Sequence, residues 1–394
     1  MSHSDPLFEA LPEDPPAATA GRALTRTGIL PSQAIRALMA ADEIAGMVEI
    51  EDAQIQPASL DLRLGKVAYR IRASFLPGTK ATVQDKLGGL TFHEIDLTKG
   101  AVLEAGCVYL VPLLEHLKLR PTIAAFANPK SSTGRLDVFT RLIGDRQECF
   151  DAVEEGYSGP LYAEICPRTF SIKVRTGSRL NQIRFRRRVS QQIDADRPGR
   201  VDDRRLRAIH SDVGLVEGDV AIRDGLNLRI SLAPVAPSGR IGYRARRYAG
   251  VVDVDRVGEY EVDQFWEEVH LGRDRRLVLD PHEFYILASK ERVSVPPEYV
   301  AEMAPFDALI GEYRVHYAGF FDPGFGYTEG KAPGAKAVLE VRSLDIPFIV
   351  EDGQIVGRLV YDELTDLPET LYGQGIGSHY QAQGLKLSKH FRQE

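Results

Sequence analysis

The chain has 394 residues, of which 27% are charged and 43% hydrophobic, and its formal net charge at pH 7 is −7. This length predicts two or three domains, each large enough to bury a core. The acidic balance excludes a protein that coats a nucleic acid polymer, and no apolar run approaches the roughly 18 residues that a membrane span needs. The three cysteines, Cys107, Cys149 and Cys166, form no CxxC pair. Neither a disulfide framework nor a structural zinc site is therefore expected, and the cytoplasm is the expected compartment.

The first segments of the chain predict a flexible tail followed by a short helix. Residues 1–20 are acidic and rich in proline and alanine, and they lack the basic and apolar regions of a signal peptide. Residues 33–39 predict a short helix, with Ser32 as its N-cap or Pro31 near its first turn.

Short strands separated by turn residues follow. Leu60, Leu62 and Leu64 alternate with Asp61 and Arg63, which predicts a half-buried strand. Further segments with strand character lie at residues 103–114, 161–165, 170–174 and 180–185. Such a series is typical of an all-β barrel or sandwich.

A charged region separates the two halves of the chain. Three arginines at 186–188 and an Asp-Asp-Arg-Arg run at 202–205 flank a Pro-Gly pair, and acidic residues are interleaved with the basic ones. Without aromatic side chains for stacking, this pattern predicts a solvated linker or a surface helix, not a nucleic-acid patch. The predicted domains are therefore residues 21–190 and 216–394, joined by a linker at 191–215.

The second half repeats the first at a constant spacing of 176 positions. The matching pairs are Leu103 and Leu279, Tyr109 and Tyr285, Glu115 and Glu291, Pro121 and Pro297, and Glu164 and Glu340. One spacing shared over about 60 residues indicates a duplicated β-rich domain. It also predicts that Glu164 and Glu340 occupy equivalent positions.

Residues 128–135, Asn-Pro-Lys-Ser-Ser-Thr-Gly-Arg, form the most distinctive loop. Its hydroxyl groups, backbone N–H groups and two cationic side chains can bind an anion. The same residue types are also ordinary in a solvated turn, so the loop alone does not identify a site.

Five stretches together resemble the dCTP deaminases of the dUTPase-like superfamily. Residues 55–65 resemble the N-terminal signature of that family, and residues 130–135 resemble its Arg-Ser-Ser-x-x-Arg phosphate and catalytic loop. Residues 321–326 resemble its Asp-Pro-Gly-aromatic turn, residues 338–340 its catalytic strand ending in Glu, and residues 372–384 its nucleotide-closing tail. The resemblance implies two tandem, distorted jelly-roll β-barrels with a few short helices.

Neither half carries the whole family pattern. The second half has Ala-Pro-Phe-Asp-Ala-Leu at 304–309 where the Ser-Ser-x-x-Arg loop belongs, so it lacks the hydroxyl groups and the arginine. The first half lacks a clear Asp-Pro-Gly turn and a tail of its own. In the tail, Tyr372 and Gln383 match the family, but His379 stands where a lysine is expected.

The resemblance implies zinc-independent deamination of dCTP to dUTP and ammonia. One carboxylate would act in turn as base and acid, while Ser131 and Arg135 hold the water and stabilise developing charge. Glu164 and Glu340 are both candidates for that carboxylate, and for each the alternative is an ordinary solvent-facing strand position. The substrate-binding residues implied by the resemblance are Lys130, Ser132, Ala318, Asp322, Val338, Tyr372, His379 and Gln383.

The expected ligands follow from the same resemblance. The sequence lacks the His-x-Glu and Pro-Cys-x-x-Cys signature of zinc deaminases, so no zinc is expected, and Mg²⁺ is expected only with the substrate triphosphate. Asp322 either accepts a hydrogen bond from the deoxyribose 3′-hydroxyl or merely forms a turn. A dUTP pyrophosphatase, a bifunctional enzyme and a non-catalytic nucleotide sensor are the alternative functions.

In the resembled family, sites lie between subunits of a three-fold ring, which implies a homo-oligomer here. Two arrangements fit this sequence. In the first, the loop of the N-terminal domain meets Glu340, Asp322 and the tail of a C-terminal domain. In the second, three N-terminal domains form a ring that uses Ser131, Arg135 and Glu164. The first arrangement is favoured because each half carries the motifs that the other lacks. The second is favoured by symmetry, because a ring of three cannot strictly alternate two kinds of domain.

If His379 replaces the lysine of the tail, the affinity for the triphosphate should rise as the pH falls below about 6.5, because the imidazole then gains its charge. The dissociation constant for dCTP, measured between about pH 6 and 8, tests this expectation. A flat profile over that interval would count against it.

Overall fold

The computed structural model describes residues 26–189, 199–217, 220–304, 313–316, 319–328, 334–373 and 384–392. Within these ranges the chain forms 25 strands, five short α-helices and a 3₁₀ turn at Asp52–Gln54. The all-β prediction is confirmed, and no helix in the described ranges is long and apolar enough to cross a membrane.

The first half contains thirteen strands and three helices. The strands are β1 (Gly28–Ile29), β2 (Ile44–Gly46), β3 (Leu60–Arg63), β4 (Val67–Ile71), β5 (Thr91–Asp96), β6 (Ala101–Leu103), β7 (Val108–Lys118), β8 (Ile123–Pro129), β9 (Val138–Gly144), β10 (Ala152–Val153), β11 (Ser158–Pro167), β12 (Ile172–Val174) and β13 (Arg179–Arg187). The helices are α1 (Ser32–Ala40), α2 (Val83–Leu87) and α3 (Ser131–Gly134).

The described part of the second half contains twelve strands and two helices. The strands are β14 (Leu226–Ser231), β15 (Gly242–Ala245), β16 (Val252–Asp253), β17 (Trp266–Val269), β18 (Leu277–Leu279), β19 (Phe284–Val293), β20 (Tyr299–Ala304), β21 (Tyr313–His316), β22 (Phe320–Phe321), β23 (Ala335–Ser343), β24 (Phe348–Val350) and β25 (Ile355–Glu363). The helices are α4 (Asp203–Val213) and α5 (Val262–Phe265).

The repeat in the sequence is also a repeat in the strands. Strands β6, β12 and β13 recur with unchanged length 176 positions later as β18, β24 and β25. Their pairing recurs as well, because β12 pairs with β6 as β24 does with β18. Strand β13 pairs with β3 and β8, and β25 pairs with β14 and β20.

An arginine paired with a buried glutamate marks the same place in each half. Arg63 Nε lies 2.8 Å from Glu115 Oε1 in the first half, and Arg229 Nε lies 2.6 Å from Glu291 Oε1 in the second. In both halves the backbone N–H of the arginine donates to the other carboxylate oxygen at 2.8 Å. Alternation predicts one buried face for β3, but the structure buries both faces, because Arg63 is paired with Glu115 and Asp61 with Lys130.

The core of the first half also contains residues from the second half. Strand β16 adds to the edge of β12 in parallel. The rings of Trp266 and Phe391 pack against Phe170 at centroid distances of 5.4 and 6.4 Å. Leu387, near the end of the chain, is buried in the same cluster. The two halves therefore share one continuous apolar interior on this side.

The described part of the predicted linker, residues 191–215, contains a helix, which was one of the two predicted alternatives. Helix α4 begins there, capped by the Asp202 side chain, which accepts from the Arg205 N–H at 2.7 Å. Leu206 and Ile209 lie three positions apart, on one face of the helix, and are buried in the core of the second half. This segment therefore belongs to the second half.

The repeated ion pair provides a matched test of charge burial. Replacing Arg63 with Met should lower the free energy of unfolding by about 3–5 kcal/mol, because Glu115 keeps a buried charge without its cation. The Arg229→Met change should cost less, since 34% of the Arg229 side chain is exposed against 6% for Arg63. Urea unfolding of both variants measures the difference, and equal losses would contradict this account.

Candidate active site

A cavity of about 890 Å³ lies between the two halves and is lined by residues of both. Eight residues predicted from the sequence line it: Lys130, Ser131, Ser132, Arg135, Asp322, Val338, Glu340 and Tyr372. Three others, Ala318, His379 and Gln383, lie outside the described residues. The cavity therefore joins the loop of the first half to the strand, the turn and the tail of the second half within one chain.

Two hydrogen bonds to one carbonyl oxygen of strand β13 hold the loop that follows β8. The Lys130 N–H donates to the Leu180 carbonyl oxygen at 2.8 Å, and the Thr133 hydroxyl donates to the same oxygen at 3.0 Å. After Lys130 the chain makes the single turn α3, which contains Ser131, Ser132 and Thr133. These bonds fix the loop before any ligand arrives.

The C-terminal segment, residues 384–392, holds the other side of this loop. Arg135 Nη1 donates to the Lys386 carbonyl oxygen at 3.0 Å, and the Ser388 hydroxyl donates to the Ser132 carbonyl oxygen at 2.8 Å. Leu387 is buried in the core of the first half. The end of the chain is therefore part of the wall of the cavity.

Glu340, on strand β23, is buried directly against the loop. A Cβ atom added to Gly134 would come within 2.8 Å of Glu340 Cδ, so no side chain fits between loop and carboxyl group. Glu340 Oε2 has no hydrogen-bond partner among the described residues. Burial raises the pKa of this carboxyl group well above its usual range; Arg135 opposes the rise and Asp137 adds to it.

An ion pair between oppositely charged side chains joins the loop region to β23. Asp137 lies two residues after Arg135, and it forms a buried ion pair with Arg342, which lies two residues after Glu340. Arg342 Nη2 also donates to the Thr169 hydroxyl at 2.8 Å. This pair fixes the separation between the loop and the strand that carries Glu340.

Asp322 is held by an arginine that the sequence analysis missed. Arg184 Nη2 donates to Asp322 Oδ1 at 2.9 Å, and Nη1 donates to the Ala301 carbonyl oxygen at 3.2 Å. The guanidinium group lies 4.0 Å from the centre of the Phe320 ring. Burial raises the pKa of Asp322 and Arg184 opposes the rise. Arg184 shares a strand face with Gln182, which lines the cavity, and that alternation was the available signal.

Tyr372 packs on the Asp-Pro-Gly turn. Its N–H donates to the Pro323 carbonyl oxygen at 2.8 Å, and its ring lies 5.7 Å from the ring of Phe325. Gly324 has φ of +92°, and a Cβ there would lie 2.8 Å from Leu371 Cβ. The turn and the first residues of the tail therefore form one unit at the cavity.

Glu164, the equivalent of Glu340 in the first half, does not line the cavity. Its Oε1 accepts from Arg141 Nη2 at 2.7 Å, and the Arg141 guanidinium stacks on Phe150 at 3.5 Å. The structure therefore brings Ser131 and Arg135 together with Glu340, as in the first predicted arrangement. It does not bring them together with Glu164 in the same chain.

The described acidic side chains that line the cavity do not belong to a metal-binding cluster. Within the described ranges, no group of three or more His, Cys, Asp or Glu side chains is arranged to hold a metal ion.

The buried carboxyl group makes the stability of the fold depend on pH. The folded protein holds the Glu340 proton more tightly than the unfolded chain does, so stability falls as the pH rises above the ordinary value of 4.5. The limit is about 1.4 kcal/mol per pH unit. Glu340→Gln removes this ionisation, so the variant should melt at a higher temperature than the original protein at neutral pH and at a similar temperature near pH 4.5. Parallel melting curves across that range would contradict the buried position of the group.

Comparisons with known proteins agree over most of the chain. The 2′-deoxycytidine 5′-triphosphate deaminase (DCD) N-terminal domain family matches residues 26–189, and the corresponding C-terminal domain family matches residues 202–391. A crystal structure of 2′-deoxycytidine 5′-triphosphate deaminase from Agrobacterium tumefaciens is 52% identical, with a TM-score of 0.82. The match covers 87% of this chain and 99% of that one.

Shorter relatives match less than half of the chain. The dUMP-forming dCTP deaminase of Halobacterium salinarum is 30% identical over 175 residues, which cover 43% of this chain and 85% of the relative. The dCTP deaminase of Natronomonas pharaonis is 29% identical over 174 residues, with coverages of 43% and 85%. Since the two family matches together span most of its length, this chain belongs to the dCTP deaminase family.

Proposed function

We propose that this chain deaminates dCTP hydrolytically to dUTP and ammonia, with Glu340 as the group that transfers protons. The observation that carries the proposal is the position of the Glu340 carboxyl group. It is buried between the halves, against the loop of Ser131 and Arg135, with one oxygen that lacks a hydrogen-bond partner among the described residues. A carboxyl group with a raised pKa can both accept and donate a proton near neutral pH.

The proposed reaction moves two protons through this carboxyl group. Ionised Glu340 takes a proton from a water molecule as the water oxygen forms a bond to C4 of cytosine. Glu340 gives this proton to N3, which leaves a tetrahedral C4 that carries a hydroxyl and an amino group. Glu340 then takes the proton of the C4 hydroxyl group and gives it to the amino group, so that ammonia leaves as the C4–N4 bond breaks and the C4 carbonyl forms. Arg135 and Ser131 supply the guanidinium and hydroxyl groups that stabilise the charge developing on the water oxygen and the ring.

The other predicted residues have roles in binding. Lys130 and Ser132 belong to the loop of residues 130–135 and can contact the triphosphate, with which Mg²⁺ would enter as a counterion. Val338 supplies apolar surface for the base. Tyr372, which also lines the cavity, keeps the role in holding the triphosphate that the family resemblance implies. Asp322, held in place by Arg184, can accept from the 3′-hydroxyl. Ala318, His379 and Gln383 keep the substrate-binding roles implied by the family resemblance.

The proposal includes zinc independence, a cytoplasmic location and the supply of dUTP for thymidylate synthesis. A carboxylate, a hydroxyl group and a guanidinium group together can activate water without a metal ion. Ammonia release that continues in the presence of a zinc chelator would support this part of the proposal.

The three-fold homo-oligomer stays a prediction. The described residues bring the loop and Glu340 together in one chain, so the geometry of the site gives no reason to require a ring of subunits. Analytical ultracentrifugation of the full chain measures the subunit number directly.

A bifunctional deaminase and dUTP pyrophosphatase is the second candidate function. A relative that matches 43% of this chain carries the description dUMP-forming, which requires loss of pyrophosphate as well as ammonia. Assaying dCTP and dUTP separately for ammonia and pyrophosphate distinguishes this function from deamination alone. A nucleotide sensor would bind dCTP and release neither product.

The two carboxylates of the repeat give the decisive test of the catalytic group. Glu340→Gln should lower kcat for ammonia release from dCTP by at least about 10²-fold, the usual scale of acid–base catalysis. Glu164→Gln is the matched control, because Glu164 lies at the equivalent strand position but outside the cavity, and it should keep kcat within about threefold of the original, well below that scale. The opposite result, with Glu164 essential and Glu340 replaceable, would reject the proposed site.

A further inference from the structure

We propose that Lys389, in the C-terminal segment 384–392, binds the phosphate groups of the nucleotide. This inference rests on the proposed function, because it deepens the description of the same site. Lys389 lines the cavity, as do Lys130 and Arg179. These three residues, named here the basic cluster, come from the C-terminal segment, the loop after β8 and strand β13.

The backbone around Lys389 is fixed from both sides. Its own carbonyl oxygen accepts from the Gly258 N–H at 3.0 Å. The neighbouring Ser388 hydroxyl donates to the Ser132 carbonyl oxygen at 2.8 Å, and His390 Nε2 donates to the Val254 carbonyl oxygen at 2.9 Å. Ser388 and His390 are buried, whereas the side chain of Lys389 lines the cavity. Little ordering of this segment would be needed when a ligand binds.

Three acidic side chains near the basic cluster form ion pairs with lysine or arginine side chains. Asp61 pairs with Lys130, Glu51 with Arg179 and Asp255 with Arg175. Lys389 adds a further positive charge among these pairs. Burial and the charge of Lys130 lower the pKa of Lys389, while Asp61 opposes the change.

A strongly anionic ligand fits the positive side chains that line this part of the cavity. Opposite charges attract more strongly in a partly buried cavity than in water, so a phosphate chain beside Lys389, Lys130 and Arg179 gains electrostatic stabilisation. The triphosphate is the strongly anionic part of dCTP, whereas the cytosine and the sugar are uncharged. Lys389 therefore fits the phosphate groups, and its compact ammonium group can donate to more than one phosphate oxygen.

Inorganic tripolyphosphate is the direct probe of this assignment, because it contains the phosphates without the base or the sugar. Its dissociation constant for the full chain is measured by isothermal titration calorimetry. Lys389→Met keeps the apolar stem and removes the charge, and it should raise this dissociation constant about tenfold or more, as expected for one charge-assisted contact. Lys389→Arg should restore most of the affinity. Lys86→Met, at an exposed position of α2, should leave it unchanged.

Steady-state kinetics with dCTP provides the second readout. Loss of a phosphate contact should raise KM about tenfold while kcat changes by less than about threefold, the pattern of lost uniform binding. Unchanged tripolyphosphate affinity in Lys389→Met, or a loss of kcat at unchanged affinity, would overturn the assignment. If circular dichroism shows that Lys389→Met is unfolded, Lys389→Gln is measured in its place with the same two readouts.

The two proposals can fail separately. If the original protein releases no ammonia from dCTP but Lys389→Met still weakens tripolyphosphate binding, the deaminase proposal is rejected and the phosphate-binding role of Lys389 stands. If ammonia is released and tripolyphosphate affinity does not depend on Lys389, the reverse holds.

Discussion

The burial of one carboxyl group between two halves of a single chain is the constraint on which the rest of this structure depends. Glu340 loses its water because the loop of residues 130–135 presses against it at Gly134. Desolvation of a carboxyl group is unfavourable, so the surrounding contacts must hold it there. The ion pair of Asp137 and Arg342 and the bonds from the loop to residues 386–388 supply that restraint.

The duplication gives both halves the same strands but different uses for the repeated carboxylate. In the second half, Glu340 faces a loop from the other half and keeps an oxygen that no described residue contacts. In the first half, Glu164 is neutralised by Arg141, whose guanidinium is itself clamped by an aromatic ring. Glu164 thus forms an ion pair within its own half, whereas Glu340 lines the cavity. The missing hydroxyl groups and arginine at 304–309 are consistent with a single site per chain.

Much of this arrangement could be predicted from the sequence, because the relevant signals were local. The spacing of 176 positions predicted the repeat, and the family resemblance singled out the loop, the turn and two candidate carboxylates, Glu164 and Glu340. The choice between Glu164 and Glu340 could not be made, since both occupy equivalent positions in apolar strand segments and only packing between halves distinguishes them. Arg184 and Lys389 were missed for a related reason. Arg184 pairs with Asp322, which lies 138 positions away in the sequence. The charged groups around Lys389 come from several separate segments. No periodicity in the sequence indicates such contacts.

The shared interior on the side of Phe170 has a consequence for how the protein is made. The aromatic cluster there includes Phe391, three residues from the end of the chain, together with Phe265 and Trp266. A first half that emerges from the ribosome early therefore lacks part of its interior until Phe391 has been synthesised. Its apolar surface stays open during that time, when chaperones are most needed. Complete packing of the first half thus requires residues 387–391, and loss of these residues would weaken the half that was synthesised first.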